Sequence, residues 1–214
     1  MSNFEYIIAS LPYLTLDYKY QDGQGFQTVL DEIRRDLSEK DTASLEVLLD
    51  GFNAKKLGPE FYAAAFRSSE KFLREYFRFD LMLRNAKVRY LNRELGRAEE
   101  TDIVNPWNEE EGEEAPLWEF EEERPIQLAL ESASLLEREK ELDDICWEKV
   151  SSLETFHYFD LTAVLAYVAK LHIVDRWLAL DEEKGRELFH KLVREVKGTF
   201  AGVNYQGKEE EENR

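Results

Sequence analysis

Two Glu-x-x-His spacings, Glu154 to His157 and Glu187 to His190, are what brings this chain nearest to catalytic chemistry. In a four-helix di-metal site, two such motifs project a carboxylate and an imidazole from adjacent turns toward iron or manganese, and two further helices supply bridging glutamates. The spacing fits that design, but the helical phase does not. At about 100° per residue, Leu188, Phe189, Leu192, Val193 and Val196 define an apolar face, and Glu187 and His190 lie off it. His157 and His172 fall near the apolar face of their own helix, where a single inward histidine more often hydrogen-bonds within a core than binds a metal. With 46 acidic residues, chance Glu-x-x-His spacings are expected. Cys146 lies beside Ile145 with no basic neighbour to lower its pKa, which describes a core thiol rather than a nucleophile. The GQG at Gly23 lacks both the lysine of a P-loop and the third glycine of a dinucleotide fingerprint. No catalytic, cofactor-binding or metal-binding residue is therefore assigned. Glu154 and His157 remain the pair on which an alternative di-metal reading would rest.

The elements that would position such groups are helices. In the run from Phe72 to Arg97, the residues Phe72, Tyr76, Phe79, Leu83, Ala86 and Tyr90 step by four and three, which puts them on one narrow stripe built to pack against other helices. The stripe continues as Arg93 and Arg97, at the end where a helix's partial negative charge favours cations. Arg84, Lys87 and Arg89 scatter over other directions and read as solvated partners of nearby acids. Arg93 and Arg97 are thus the candidate partner contacts on this helix, which is expected to run from about Glu60, just after Gly58 and Pro59, to about Gly96.

Elsewhere the same periodicity recurs. Phe4, Ile7, Ile8 and Leu11 predict a short helix ended by Pro12, and Phe26, Val29, Leu30, Ile33 and Leu37 share a second helical face. Asp41 is expected to cap a third helix carrying Leu45, Leu48, Leu49 and Phe52. Residues 99–123 hold twelve acidic residues and no basic one, broken by Pro106, Gly112 and Pro116, which reads as an acidic linker. Its Trp107, Leu117, Trp118 and Phe120 are unusual in a pure spacer, so Trp107 and Trp118 join the candidate partner interface. Arg124 and Pro125 open a helix with Leu128, Leu135 and Leu142 one heptad apart, followed by Ile145, Cys146, Val150 and Leu153. The next helix carries Leu161, Val164, Leu165, Val168, Leu171 and Trp177, and a last one starts near Glu182. Phe79-Asp80-Leu81 and Phe159-Asp160-Leu161 echo each other 80 residues apart and raise the question of two related units. The expected architecture is an all-α elongated helical bundle: a helical unit over 1–98, an acidic linker over 99–123, a second helical unit over 124–204 and a disordered charged tail over 205–214.

Charge and composition narrow the function classes. A formal charge of −18 opposes long-range attraction to a phosphate backbone or an anionic lipid surface, so neither nucleic acid nor direct lipid binding is expected. A single cysteine excludes an intrachain disulfide framework, no apolar run has the length of a membrane span, and the first residues lack a basic n-region. A cytoplasmic location is the expectation.

The segments FEYIIASLPYLTLD, FDLMLRNAKVRYLNRE and HKLVREVKGTFAGVNYQGK together resemble a family of uncharacterised bacterial proteins that accompany V-type ATPase subunits. That family in turn looks like a reduced relative of the C-type subunit of the V-type ATPase, which is named d in eukaryotes. The resemblance implies an all-α, non-catalytic subunit that joins the central shaft to the membrane rotor ring in proton or sodium ion transport. It further implies shaft and ring subunits as partners and attachment to the membrane through them. The C-type proteins are longer and carry three related helical units, whereas this chain shows at most two. The alternative is a free-standing helical bundle, either a cytosolic adaptor or a di-metal carboxylate enzyme using Glu154 and His157.

Overall fold

A computed structural model describes residues 2–16, 18–21, 23–107 and 120–179, and within them the chain is an all-α bundle of eight helices with no strand. They are α1 (Phe4–Ser10), α2 (Phe26–Asp36), α3 (Glu39–Gly51), α4 (Pro59–Phe66), α5 (Lys71–Glu94), α6 (Glu123–Leu130), α7 (Leu135–Glu154) and α8 (Leu161–Ala179). Met1–Asp175 form one compact unit, and Arg176–Arg214 a second of which only the first four residues are described. The helix expected near Glu182, the tail from 205, Trp118, Glu187 and His190 all lie outside the described residues.

Local chemistry sets the helix boundaries. The helix containing Leu45 and Leu48 is capped by Ser38, not by Asp41: Ser38 Oγ accepts the Asp41 N–H at 3.3 Å. Asp41 is the third helical residue, and its carboxylate accepts the hydroxyls of Ser38, at 2.7 Å, and of Ser2. The long helix expected from Glu60 is two helices. It breaks over residues 67–70, where Ser68 Oγ accepts the Glu70 N–H and the Arg74 guanidinium takes the carbonyls of Ser68 and Ser69. The Leu128–Leu135–Leu142 heptad is likewise interrupted, because Ser134 caps a new helix by accepting the Glu137 N–H. Leu128 and Leu135 are consequently exposed and only Leu142 is buried.

Two hydrophobic clusters share α5. Phe72, Leu73, Phe77 and Leu81 join a large cluster with Ile7, Val29, Leu30, Ile33, Leu45, Leu48, Tyr62 and the apolar residues of α8 from Leu161 to Leu171. Phe79 and Leu83, with Ala86 and Tyr90 beside them, meet Ile126, Ala129, Leu130 and Leu142 in a smaller cluster. The apolar part of the predicted stripe is therefore divided between the two clusters, with Phe72, Phe79 and Leu83 buried and Tyr76, Ala86 and Tyr90 half-buried, and the face bearing Leu73, Phe77 and Leu81 is buried as well. The large cluster runs from Ile7 to Leu171, so the acidic segment 99–123 does not separate two independently cored lobes. Nor does the repeated tripeptide mark equivalent positions: Phe79 is buried in mid-helix, whereas Phe159 is exposed beside Asp160, which caps α8 by accepting the Ala163 N–H at 3.1 Å.

The close approach of α3 to α5 depends on Gly51. A Cβ there would stand 2.2 Å from Cε1 of Phe77, a ring that is fully buried.

Candidate functional site

Two surfaces draw together the residues singled out in the sequence. The first is built on the C-terminal half of α5. Gly96, at φ 65°, ends the helix: its N–H goes to the Arg93 carbonyl at 3.1 Å and the Arg97 N–H to the Asn92 carbonyl at 2.8 Å, the paired bonds of a Schellman motif. Arg97 thus stands beyond the glycine in non-helical backbone and does not prolong the stripe. It pairs with Asp102 at 3.8 Å. Arg93 is still helical and exposed, and it forms no ion pair among the described residues.

After the glycine, the chain turns back along α5 as a strap over residues 99–107. Asn85 Nδ2 donates to the Val104 carbonyl and Asn85 Oδ1 accepts the Val104 N–H, each at 2.9 Å. Asn92 Nδ2 donates to the carbonyls of Glu99, at 3.0 Å, and Thr101, at 2.7 Å. Both asparagines are buried, and they satisfy backbone groups of an irregular segment that has no periodic partner of its own. Outside them, Arg89 grips Glu100 with two bonds at 2.8 and 3.1 Å. The hydrogen bond from Arg89 holds the Glu100 carboxyl below its ordinary value. At the end of the strap Trp107 stacks on Phe66, ring centroids 5.9 Å apart and planes 20° from parallel. This first part of the acidic segment is therefore fixed to the bundle, and Trp107 is half-buried against the chain's own core. Between strap, α5 and α6 lies a groove of about 460 Å³ whose walls include Met82, Arg89, Arg93, Trp107, Phe120 and Gln127.

Between α4 and α5 a buried polar group marks the core itself. Tyr62 Oη donates to Asp80 at 2.6 Å, and Arg84 Nε donates to the same carboxylate oxygen at 2.8 Å. Burial, followed by the Asp80 charge, pushes the Tyr62 hydroxyl well above the usual tyrosine range. Tyr76 is raised for the same reasons, with Cys146 a further neighbour. Both hydroxyls therefore stay protonated near neutral pH, and that of Tyr62 serves as a fixed donor to Asp80. Cys146 packs beside the smaller cluster but is only half-buried there, less enclosed than the core thiol expected from its apolar neighbours.

The second surface surrounds the turn between α7 and α8. Glu154, the last residue of α7, bonds Lys170 Nζ at 2.5 Å, and His157 Nδ1 lies 2.5 Å from Asp160. The two residues of the first Glu-x-x-His are thus committed to different partners, and among the described residues no group of three or more His, Cys, Asp or Glu is placed to hold a metal ion. Thr155 at φ −54°, ψ 127°, Phe156 at φ 70° and the His157 N–H to Glu154 carbonyl bond at 2.8 Å form a type II turn. Beside it is a cleft of about 350 Å³ lined by Leu11, Tyr13, Leu14, Tyr158, Tyr167 and Lys170 among others. Its far wall is fixed by the Tyr167 hydroxyl, which donates to the Pro12 carbonyl at 3.0 Å.

Sequence reasoning missed the strap and the turn. Asn85 and Asn92 stand seven residues apart on the helix, and two amides at that spacing were the available signal; nothing in the residue types marked Phe156. Among the described residues no helix is long and apolar enough to cross a membrane. No curated protein and no solved structure matches this chain. A family model does match, over residues 53–199, which takes in α4 to α8, the first surface and the α7–α8 turn of the second but not Leu11, Tyr13 and Leu14 of its cleft, and the chain belongs to the family described as Protein of unknown function (DUF2764).

Proposed function

We propose that this protein is a non-catalytic structural subunit of a V-type rotary ATPase that couples the central shaft to the membrane rotor ring in proton or sodium ion transport. The resemblance carried by FEYIIASLPYLTLD, FDLMLRNAKVRYLNRE and HKLVREVKGTFAGVNYQGK suggests this role; the family description itself names none. The observation that supports it best is the setting of α5, a 24-residue helix gripped by one hydrophobic cluster on one side and a second on another. A helix fixed in that way resists bending and sliding, which is what a part that transmits torque requires. Arg93 at its end offers a cation to an acidic partner surface. In this reading the protein is cytoplasmic and reaches the membrane only through shaft and ring subunits.

The test is native co-purification. Tagged protein isolated from its own host should bring down shaft and ring subunits in fixed ratio. Arg93→Glu should lower their recovery while leaving the melting midpoint in place, since an exposed charge with no ion pair among the described residues contributes about a kcal/mol or less to folding. Recovery of the tagged protein without any ATPase subunit would overturn the proposal and leave the cytosolic adaptor as the better account.

A further inference from the structure

Four aromatic side chains around the α7–α8 turn face solvent: Tyr13 is 87% exposed, Phe156 84%, Tyr158 67% and Phe159 57%. They form one patch, because Phe156, Tyr158 and Phe159 share the turn while Tyr13 and Tyr158 line the same cleft. Large side chains of this kind are enriched at the centres of protein interfaces.

Phe156 is the most telling of them. It occupies the third position of a type II turn, where φ must be positive and glycine is the comfortable residue. A bulky side chain at φ 70° strains the backbone, and this one recovers almost nothing by burial among the described residues. What Phe156 contributes therefore lies outside the fold.

Charge indicates the occupant. The chain carries a formal −18, so a second copy or an anionic bilayer would approach against like charge, whereas a basic partner would be drawn in. Exposed aromatic faces are themselves electron-rich and attract lysine and arginine. We propose that the α7–α8 turn is a docking surface for a basic amphipathic helix of a partner protein, with apolar anchors entering the cleft beneath Tyr13 and Tyr158 and cationic side chains lying over the rings. The surface does not depend on the ATPase role: it would serve an adaptor equally.

The test uses the full chain and a fluorescently labelled synthetic helix with leucine and phenylalanine on one face and lysine on the other. Anisotropy should show saturable binding that weakens with salt, and a version with glutamate in place of lysine should not bind. Phe156→Gly leaves every charge in place and relieves the turn, so its melting midpoint should stay or rise while affinity falls about tenfold or more. Tyr158→Ser should weaken binding in the same direction. The proposal fails if the parent does not bind the helix, if Phe156→Gly binds it as tightly as the parent, or if Phe156→Gly melts lower. It also fails if the patch proves to serve another occupant, seen as Phe156-dependent dimers in sedimentation or Phe156-dependent binding to phosphatidylserine vesicles.

Discussion

Replacing Asn85 with Ala should release the strap over residues 99–107 from α5. Asn85 makes two hydrogen bonds to one residue, donating to the Val104 carbonyl and accepting its N–H, both at 2.9 Å and in a buried setting. A neutral hydrogen bond contributes about 0.5–1.5 kcal/mol net, and the alanine variant leaves both Val104 groups without their partner, so the expected loss is about 2 kcal/mol. For a chain of this size that corresponds to a fall in melting midpoint of roughly 4–8 °C. Hydrogen exchange at the Val104 amide, whose protection should drop with the bond, reports the same event locally. Asn85→Asp sharpens the test. Its carboxylate still accepts the Val104 N–H but sets a second oxygen against the Val104 carbonyl, which raises its pKa in the folded state. An acid whose folded pKa lies above its unfolded value costs stability as pH rises through that window. The aspartate variant should therefore approach the parent below about pH 4 and fall away from it at neutral pH. Unchanged Val104 protection in the alanine variant, or a pH-independent aspartate variant, would refute the clamp.

Two further outcomes follow from the same structure. Gly51→Ala should lower the melting midpoint, because a Cβ 2.2 Å from the caged Phe77 ring costs about 1–3 kcal/mol by overpacking, more than the roughly 1 kcal/mol at most that alanine gains as a helix former; Phe77→Leu in that background should restore part of the loss. Arg89 holds the Glu100 carboxyl low, so the bond's contribution is present above the ordinary glutamate range and is lost as pH falls through the lowered folded value. Val104 protection factors should decline on acidification in the parent, and in Glu100→Gln they should be reduced at neutral pH and flat below it.

Much of the bundle was legible because burial imposes a period. Val29, Leu30 and Ile33 on α2, and Leu161 to Leu171 on α8, repeat at helical spacing because one face, or nearly the whole circumference, is removed from water. The same logic misled on α5, where a narrow heptad drew attention from Leu73, Phe77 and Leu81. A helix that two clusters share has no single stripe. The breaks at 67–70 and 131–134 were written in serines, but the apolar pattern ran across them, and a side-chain cap competes with a helix without disturbing hydropathy. The strap was harder still. Asn85 and Asn92 look like surface residues to any scale of polarity, and only the irregular backbone that they satisfy, distant in sequence or aperiodic, gives them their role. Phe156 was unreadable, since a positive φ at a bulky residue is set by the turn around it.

The span of the large cluster from Ile7 to Leu171 has a consequence for biosynthesis. The cluster cannot close until α8 has been made, and Leu161 follows Leu81 by 80 residues. At about 5–20 residues per second, roughly 4–16 s pass between the two. Through that interval the apolar faces of α2, α3 and α5 lack the helix that completes their cluster, and its arrival closes contacts of high sequence separation, such as Tyr20 to Asp175 and Pro12 to Tyr167. The nascent chain should thus be a chaperone client whose release coincides with the emergence of α8, and ribosome-bound chains halted before Leu161 should be far more protease-sensitive than chains halted beyond the segment's full exit.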